Sequence, residues 1–477
     1  MPKSTPSPTA KTPKATRAPK EAASAATPTI PETQTPALIA HPHALPKEGR
    51  IRAVIDAVLP NVDGGRFAVK RIAGEPFEIT AHCFTDGHDV LRAVVQWWRD
   101  GDTTVHETPL ALVNNDVWKG AFTPQVPGRY IYTVLAWVDG FASWRHELTR
   151  RVDDADIHIA AKVGALEIAA AAKRAAGDDA ATLSRLAAEL ERAANDAAVN
   201  GTALKALALD ETLEALASRY PDRRFEARYG AELSLVVDRE RARFSSWYEL
   251  FPRSAGTVLG EHGTFRDVEA RLPAIRKMGF DVLYFPPIHP IGRIDRKGKN
   301  NALVTEPSDV GSPWAIGAEE GGHKSILPEL GTPEDFRHLV AEAGRHGLDV
   351  ALDIAFQCAP DHPYVKEHPG WFRWRPDGTV QYAENPPKKY QDIYPFNFEC
   401  DDWQGLWTEL KSVLDHWIAQ GVTIFRVDNP HTKAFPFWEW CITEIKREHP
   451  GVIFLAEAFT RPKVMHRLAK LGYSQSY

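Results

Sequence analysis

The distribution of apolar and polar positions separates the first part of the chain into two stretches. Residues 1–45 consist largely of Pro, Thr, Ser, Ala and Lys without apolar periodicity, and this composition predicts a disordered tail. Residues 46–153 contain short alternating runs between turn residues, including Phe77–Phe84, Ala93–Arg99 and Tyr130–Val138. Alternation with period two predicts strands, and their number and spacing favour an antiparallel β-sandwich.

Residues 154–225 have a different pattern, which is rich in Ala, Leu and Glu. Apolar residues recur at helical spacing, as in Leu183–Leu190. Breaks near 177–179 and 200–201 divide the stretch into several short segments. The pattern predicts an insert of packed helices.

From residue 226 to 477, strand-like runs alternate with amphipathic helices, which is typical of a parallel α/β fold. Strands are predicted at Trp247–Phe251, Asp281–Phe285, Asp349–Ala355, Val422–Val427 and Val452–Ala456. Helices are predicted at 264–278, 332–346, 402–420 and 434–449, with a last one beginning near Arg461. We interpret this α/β region as a (β/α)8 TIM barrel catalytic domain that is incomplete, with its first five strands; an open five-stranded sheet is the alternative.

Composition and charge narrow the class of protein. With 43% hydrophobic residues, 25% charged residues and a net charge of -6, the chain has the composition of a soluble globular protein without a nucleic-acid partner. The four cysteines are widely separated, so they predict neither a disulfide framework nor a zinc site. The absence of a long apolar run and of a secretory signal predicts a cytoplasmic protein without a membrane partner.

Two carboxylates follow neighbouring predicted strands. Arg426 and Asp428 are two residues apart at the end of one strand, so both side chains point to the same side, where the arginine can hold the carboxylate ionised as a nucleophile. Glu457 follows the next strand between apolar residues, and desolvation suits its carboxyl group to act as a general acid. A single carboxylate after a strand is often only a helix cap, but this pair predicts a divided nucleophile and acid role.

The segments around these carboxylates resemble the α-amylase superfamily, glycoside hydrolase family 13. Phe425–Asp428 and Leu455–Glu457 resemble its nucleophile and acid/base motifs. Gln357 and Cys358 stand where that superfamily usually has Asn-His, which argues against an ordinary amylase. The maltosyltransferase branch, which uses maltose 1-phosphate, is similar to this chain from about residue 50 onward, most clearly in 357–363, 384–395, 428–433 and 454–462.

This resemblance implies the roles of further residues. Asn385, Lys388 and Tyr390 would contact the donor phosphate, and the prolines between Asn385 and Lys388 would stiffen that loop. The maltosyl unit would be contacted by Lys297, Asn301 and Gln357, and Asn429 would lie beside the nucleophile. His289, His323, His362 and His431 lie near the predicted barrel mouth, but their spacing suggests no metal site, and each can satisfy a loop backbone. No cofactor is implied.

The function implied by the resemblance is a retaining glycosyltransferase. It would move maltosyl units from α-maltose 1-phosphate to an α-1,4-glucan through a covalent intermediate on Asp428, release phosphate, and act as a homodimer. The alternatives are a hydrolase of neutral glucans, a trehalose-synthase-like isomerase of the same superfamily, or an inactive glucan-binding fragment. The resemblance also implies a third catalytic aspartate on a later strand, so we expect the 477 residues alone to lack activity.

Overall fold

The computed structural model describes residue 45 and residues 47–477. The predicted tail at 1–45 therefore lies outside the described residues, apart from Leu45. The N-terminal strands arise from alternating apolar residues. Residues 54–138 form β1 (Val54–Leu59), β2 (Val69–Ile72), β3 (Phe77–Phe84), β4 (Leu91–Arg99), β5 (His106–Asn114), β6 (Val117–Phe122) and β7 (Gly128–Val138). In β3 every second side chain, from Phe77 to Cys83, is buried.

Five helices follow, and the chain then returns to the N-terminal sheet. The helices are α1 (Gly140–Arg150), α2 (Asp154–Arg174), α3 (Gly177–Asn195), α4 (Gly201–Ala208) and α5 (Glu211–Ala217), and the returning strands are β8 (Ala227–Arg228) and β9 (Leu233–Asp238). The strand order is β1-β3-β6-β5-β4-β7-β9-β2, with β8 beside β7. The rings of Phe77 on β3 and Tyr132 on β7 lie 5.2 Å apart, so strands distant in this order face each other across a buried core.

Two details of the N-terminal sheet differ from the sequence-based expectation. The sheet is not wholly antiparallel, because β2 and β9 pair in parallel from Val69 with Leu235 to Ile72 with Asp238. Residues 227–238 lie within the stretch assigned to the predicted barrel, but they hydrogen bond to this sheet instead. The alternating apolar residues of β9 identify a strand but not its partner, which lies more than 160 positions earlier. The domain boundaries themselves stay a prediction.

The remaining residues alternate strands with helices. The strands are β10 (Trp247–Glu249), β11 (Val282–Phe285), β12 (Asp349–Ile354), β13 (Gln357–Cys358), β14 (Ala383–Asn385), β15 (Lys388–Tyr390), β16 (Tyr394–Pro395), β17 (Ile424–Asp428), β18 (Ile453–Glu457) and β19 (Gln475–Ser476). The helices are α6 (Phe265–Glu269), α7 (Leu272–Lys277), α8 (Pro333–Arg345), α9 (Pro363–Glu367), α10 (Trp403–Ala419), α11 (Phe435–Glu448) and α12 (Pro462–Lys470).

A parallel sheet in the order β10-β11-β12-β17-β18-β19 forms the centre of this region. Its strands are buried on both faces, and the helices pack against one large apolar core. The predicted fold class is confirmed: these strands are part of a (β/α)8 barrel, and a β domain precedes them. The five predicted strands all form, and β19 adds a sixth. The predicted helix 264–278 is two helices, since Pro273 at the start of α7 has no amide hydrogen with which to continue α6.

The N-terminal sheet is joined to the end of α12 by a lysine. The Nζ atom of Lys70 on β2 donates hydrogen bonds to the carbonyl oxygens of Ala469, at 3.0 Å, and Tyr473, at 2.5 Å. Burial lowers the pKa of Lys70 to about 8. Nearby, Lys446 of α11 pairs with Asp238 of β9 at 2.6 Å. Charged contacts therefore connect the β domain to α11, which precedes Glu457, and to the end of α12, which follows it.

In the part of the chain from residue 47 onward, no helix is both long enough and apolar enough to cross a membrane.

Candidate active site

Arg426 connects the two predicted catalytic carboxylates. Asp428 and Glu457 are register partners at the C-terminal ends of β17 and β18. The Nη1 atom of Arg426 donates to Oδ1 of Asp428 at 2.9 Å, and its Nη2 atom lies 3.6 Å from Oε2 of Glu457. The three side chains are largely buried. The sequence prediction that Arg426 and Asp428 project to the same side is therefore confirmed.

A third carboxylate lies beneath this pair. Asp353 near the end of β12 is 1% exposed, and its Oδ2 atom accepts hydrogen bonds from Arg426 Nη1 at 2.8 Å and from the Tyr284 hydroxyl at 2.5 Å. Burial raises the pKa of Asp353 to about 7, against the opposing effect of Arg426. Burial alone would lower the pKa of Arg426, but Asp353, Tyr284 and Asp428 outweigh it and raise that pKa. The guanidinium group is therefore held charged between acidic groups on three strands.

The residue after Asp428 orients both carboxylates. Asn429 has φ 44° and ψ 54°, a left-handed conformation that asparagine tolerates better than most residues. In this conformation its backbone N–H donates to Oε2 of Glu457 at 3.1 Å, and its Nδ2 donates to Oδ2 of Asp428 at 3.2 Å. Both oxygens of Asp428 therefore accept a hydrogen bond, which fixes the orientation of the carboxylate.

A cleft of about 1030 Å³ opens over the strand ends. Six of the residues proposed from sequence line it: Asn301, Gln357, Asn385, Tyr390, Asp428 and Asn429. The amide Nε2 of Gln357 donates to the carbonyl of Trp314, another lining residue, at 3.2 Å. The size suits a ligand of more than one sugar ring, and the lining combines aromatic rings with amides and carboxylates.

The structure does not bring the other four predicted residues to the cleft lining. Arg426 and Glu457 are hydrogen bonded to Asp428 and Asn429, which do line the cleft. Lys297 is 6% exposed, and its Nζ atom donates to Oε1 of Gln391 at 2.7 Å, so it links two loops. Lys388 is exposed in the β14–β15 hairpin, where it pairs with Asn385.

Sequence reasoning missed a buried carboxylate in the cleft. Asp392 lines the cleft and is 2% exposed, and its Oδ1 atom has no hydrogen-bond partner among residues 47–477. Burial raises the pKa of Asp392, and nearby Lys297 partly offsets this effect. A single aspartate in a loop carries no periodic signal, so only the folded arrangement reveals its place in the cleft.

Three of the histidines noted in the sequence form a buried group behind the cleft. Tyr364 N–H donates to Nδ1 of His362 at 3.0 Å, so the proton of His362 lies on Nε2. That nitrogen lies 3.1 Å from Nδ1 of His323, whose Nε2 lies 3.0 Å from the carbonyl of Ala355. His289 similarly bonds the carbonyl of Ser325 through Nδ1 at 3.0 Å.

His323, Cys358 and His362 also form the one group of potential metal-ligand side chains within the described residues, with ligand atoms within 4.8 Å of one another. The hydrogen bonds, however, occupy both nitrogens of His323 and both of His362, so neither ring has a free lone pair to offer a metal. We interpret the group as a chain of neutral imidazoles that satisfies loop backbone groups.

A parallel barrel sheet that presents an Asp and a Glu on adjacent strand ends, with an arginine between them, is typical of enzymes that act on glycosides. Comparisons with known proteins identify the family within this class. Residues 51–239 match the family model described as "Alpha-1,4-glucan:maltose-1-phosphate maltosyltransferase, domain N/S". The α-1,4-glucan:maltose-1-phosphate maltosyltransferase of Chlorobaculum tepidum is 52% identical over 433 residues, covering 91% of this chain and 64% of that protein. The protein of the same name from Cereibacter sphaeroides is 47% identical over 427 residues, covering 89% of this chain and 71% of that protein.

Among solved structures, an α-amylase from Lactobacillus plantarum is 30% identical, with a TM-score of 0.39 and coverage of 49% of each chain. The sequence relatives carry the assignment: the chain belongs to the α-1,4-glucan:maltose-1-phosphate maltosyltransferase family. It spans about 64% of the length of several of these relatives.

Proposed function

We propose that the protein transfers maltosyl units from α-maltose 1-phosphate to the non-reducing end of an α-1,4-glucan, with retention at the anomeric carbon. The observation that carries this proposal is the position of Asp428 and Glu457 on adjacent strand ends, with Arg426 between them, under a cleft of about 1030 Å³. Relatives about 50% identical to this chain carry the name of the same reaction.

In the first half of the reaction, Asp428 is the nucleophile. One carboxylate oxygen forms a bond to the anomeric carbon of the maltosyl unit, and the bond from that carbon to the phosphate oxygen breaks, so that phosphate leaves. Arg426 and Asn429 each bind one oxygen of Asp428, which orients the carboxylate before attack. Glu457 assists departure of the phosphate.

Glu457 acts as the base in the second half. It removes the proton of the 4-hydroxyl group of the acceptor glucan, whose oxygen displaces Asp428 from the anomeric carbon. Oε2 of Glu457 is occupied by Asn429 N–H and faces Arg426. We therefore assign the proton transfer to Oε1, the oxygen without a hydrogen bond among the described residues.

Substrate contacts come from the loops around the cleft. We propose that Asn385 and Tyr390, which line the cleft, bind the donor phosphate, and that Lys388 reaches it from the adjacent exposed position. Asn301 and Gln357 would contact the maltosyl unit. We propose that Lys297 also contacts the maltosyl unit, from the loop that it links to Gln391.

The direct test is release of phosphate from α-maltose 1-phosphate by the full-length protein with glycogen or maltooligosaccharides as acceptor. We expect release to require both the donor and an acceptor. Activity on neutral maltooligosaccharides alone, with none on the phosphorylated donor, would instead identify a hydrolase or an isomerase.

We further propose that the protein acts in the cytoplasm as a homodimer. The four cysteines, which are all free and buried, are compatible with a reducing compartment. On α2, Ile159, Val163 and Leu166 follow helical spacing and are 62%, 46% and 70% exposed, which provides an apolar surface for a second subunit. Light scattering of the purified protein measures the oligomeric state directly, and a Leu166→Glu variant that remains as associated as the parent would exclude this surface.

A further inference from the structure

Lys433 lies beside the nucleophile, among the residues that line the cleft. It follows the short turn Pro430–Thr432, which continues from Asp428 and Asn429. Its side chain is buried, and its Nζ atom donates to the carbonyl oxygens of Asp428, at 3.2 Å, and Asn429, at 3.3 Å. A buried ammonium group bonded to the backbone of the nucleophile is costly unless its charge and its donors are both used.

The two hydrogen bonds fix the peptide groups on either side of Asn429. That residue has a left-handed backbone, and its orientation directs its N–H to Glu457 and its amide to Asp428. Rotation of the peptide between Asp428 and Asn429 would turn the Asn429 N–H away from Glu457. Lys433 therefore holds the backbone geometry on which the positions of Asp428 and Glu457 depend.

The charge of Lys433 acts on the same groups. Desolvation lowers the pKa of Lys433, while Asp428, Asp353 and Glu457 raise it, with Asp428 exerting the largest effect of the three. The other groups around Asp428 are the Arg426 guanidinium on its own strand, Asp353 on β12 with Tyr284 beside it, Glu457 on β18 and the His431 ring on the turn. Arg426 and Lys433 are thus the cations that face Asp428 among the described residues, one from the sheet and one from the turn.

We propose that Lys433 is a positioning residue for the catalytic pair, which holds the Asp428–Asn429 turn in its left-handed geometry and places its positive charge beside the Asp428 carboxylate. The inference rests on the proposed function for the roles of Asp428 and Glu457, but the contacts of Lys433 do not depend on it.

The test compares Lys433→Met, which removes both the charge and the donors, with Thr432→Val. Thr432 is the matched control, because its Oγ1 atom donates to the same Asn429 carbonyl at 2.8 Å and carries no charge. Steady-state kinetics of both variants are compared in the full-length protein. We expect kcat to fall less in Thr432→Val than in Lys433→Met, because Thr432→Val leaves the ammonium group and its contact with the Asp428 carbonyl in place.

Kinetics separate positioning from binding. In Lys433→Met we expect kcat to fall at least tenfold with little change in the KM for the donor, because the turn geometry affects the reacting carboxylates more than the substrate contacts. A loss in Lys433→Met that is confined to KM, or an equal fall of kcat in Thr432→Val, would overturn the proposal.

A reciprocal measurement needs no variant of Lys433. In Asp428→Asn, removal of the carboxylate should let Lys433 lose its proton at lower pH, so its acetylation by acetic anhydride should reach half-maximum at lower pH than in the parent. An unchanged acetylation midpoint overturns the charge interaction even if Lys433→Met does not fold. Failure of the parent to release phosphate from the donor, with the acetylation shift present, would reject the proposed function and leave the assignment of Lys433 intact.

Discussion

Lowering the pH from 7 to 5 should destabilise the region around His289, His323 and His362, because the three imidazoles are buried and neutral. Burial lowers the pKa of His289 to about 3, that of His323 to about 4, and that of His362 well below its usual value. A second proton on His323 would have to occupy Nδ1, where it would face the Nε2–H of His362 at 3.1 Å. Protonation therefore requires this chain of hydrogen bonds to break.

The sign of the pH effect on the free energy of unfolding follows from the number of protons bound by the folded and the unfolded chain. An unfolded histidine has a pKa of about 6.5, so between pH 6.5 and about 4 the unfolded chain binds up to about three more protons at these sites than the folded chain. The contribution of the neutral histidines to the free energy of unfolding is complete above pH 6.5 and is lost as the pH falls. Asp353 opposes this loss of stability over the same pH range. Its pKa is raised to about 7, so the folded chain binds a proton at Asp353 at a higher pH than the unfolded chain does. The net difference is about two protons, which is roughly 4 kcal/mol between pH 6.5 and pH 5 at about 1.36 kcal/mol per pH unit and proton.

A loss of about 4 kcal/mol is a large part of a typical unfolding free energy of about 5–15 kcal/mol. The measurement is hydrogen exchange of peptides covering 355–364 at several pH values, corrected for the intrinsic exchange rate, with peptides from β3 as an internal reference. The variant His289→Gln retains an N–H donor for the Ser325 carbonyl and should reduce the pH dependence of the exchange free energy by about one proton. The control His88→Gln replaces an exposed histidine and should not reduce it. Equal pH dependence in His289→Gln and the parent would refute this reasoning.

Three other predictions concern the cleft and its support. Lys388→Ala should raise the KM for the phosphorylated donor in steady-state assays of the full-length protein. Lys389→Ala, which removes the neighbouring exposed lysine, should raise this KM less, and equal effects would remove Lys388 from the phosphate site. Asp428→Ala should abolish the covalent maltosyl adduct seen by intact mass spectrometry after rapid quenching, and a persisting adduct would place the nucleophile elsewhere. Gly322→Ala should lower the unfolding free energy by about 1–3 kcal/mol in urea denaturation, since the added Cβ would lie 2.1 Å from Nε2 of His362; an unchanged midpoint would show that the ring can move.

The strands of the barrel could be predicted because local sequence determines them. The predicted strand Asp349–Ala355 differs by one residue from β12, and Val452–Ala456 is displaced by one residue from β18. Continuous apolar runs between turn signals suffice for such strands, since both faces are buried. The ends of these strands also predicted correctly that Arg426 would lie beside Asp428.

Contacts between distant segments could not be predicted in the same way. The return of β9 to β2, the loop contact of Lys297 with Gln391 and the buried carboxylate of Asp392 each depend on where separate loops and strands meet. Lys433 stood in a segment that carried the family resemblance, but nothing in its spacing indicated that its amine would turn back to the nucleophile. Periodicity reports which face a residue occupies, whereas the identity of its partner is set by tertiary packing.

The contact of Lys70 with α12 has a consequence for how the protein folds during its synthesis. Its acceptors, the carbonyls of Ala469 and Tyr473, lie 399 and 403 positions further along the chain. At about 5–20 residues per second the ribosome needs roughly 20–80 s to reach them, so β2 emerges long before its lysine can find these partners. Its strand partner β9 is also synthesised later, so β2 has an unpaired edge until β9 has been made. The N-terminal sheet therefore cannot reach its final set of contacts as a nascent domain, and its completion is coupled to the folding of the helix that follows Glu457.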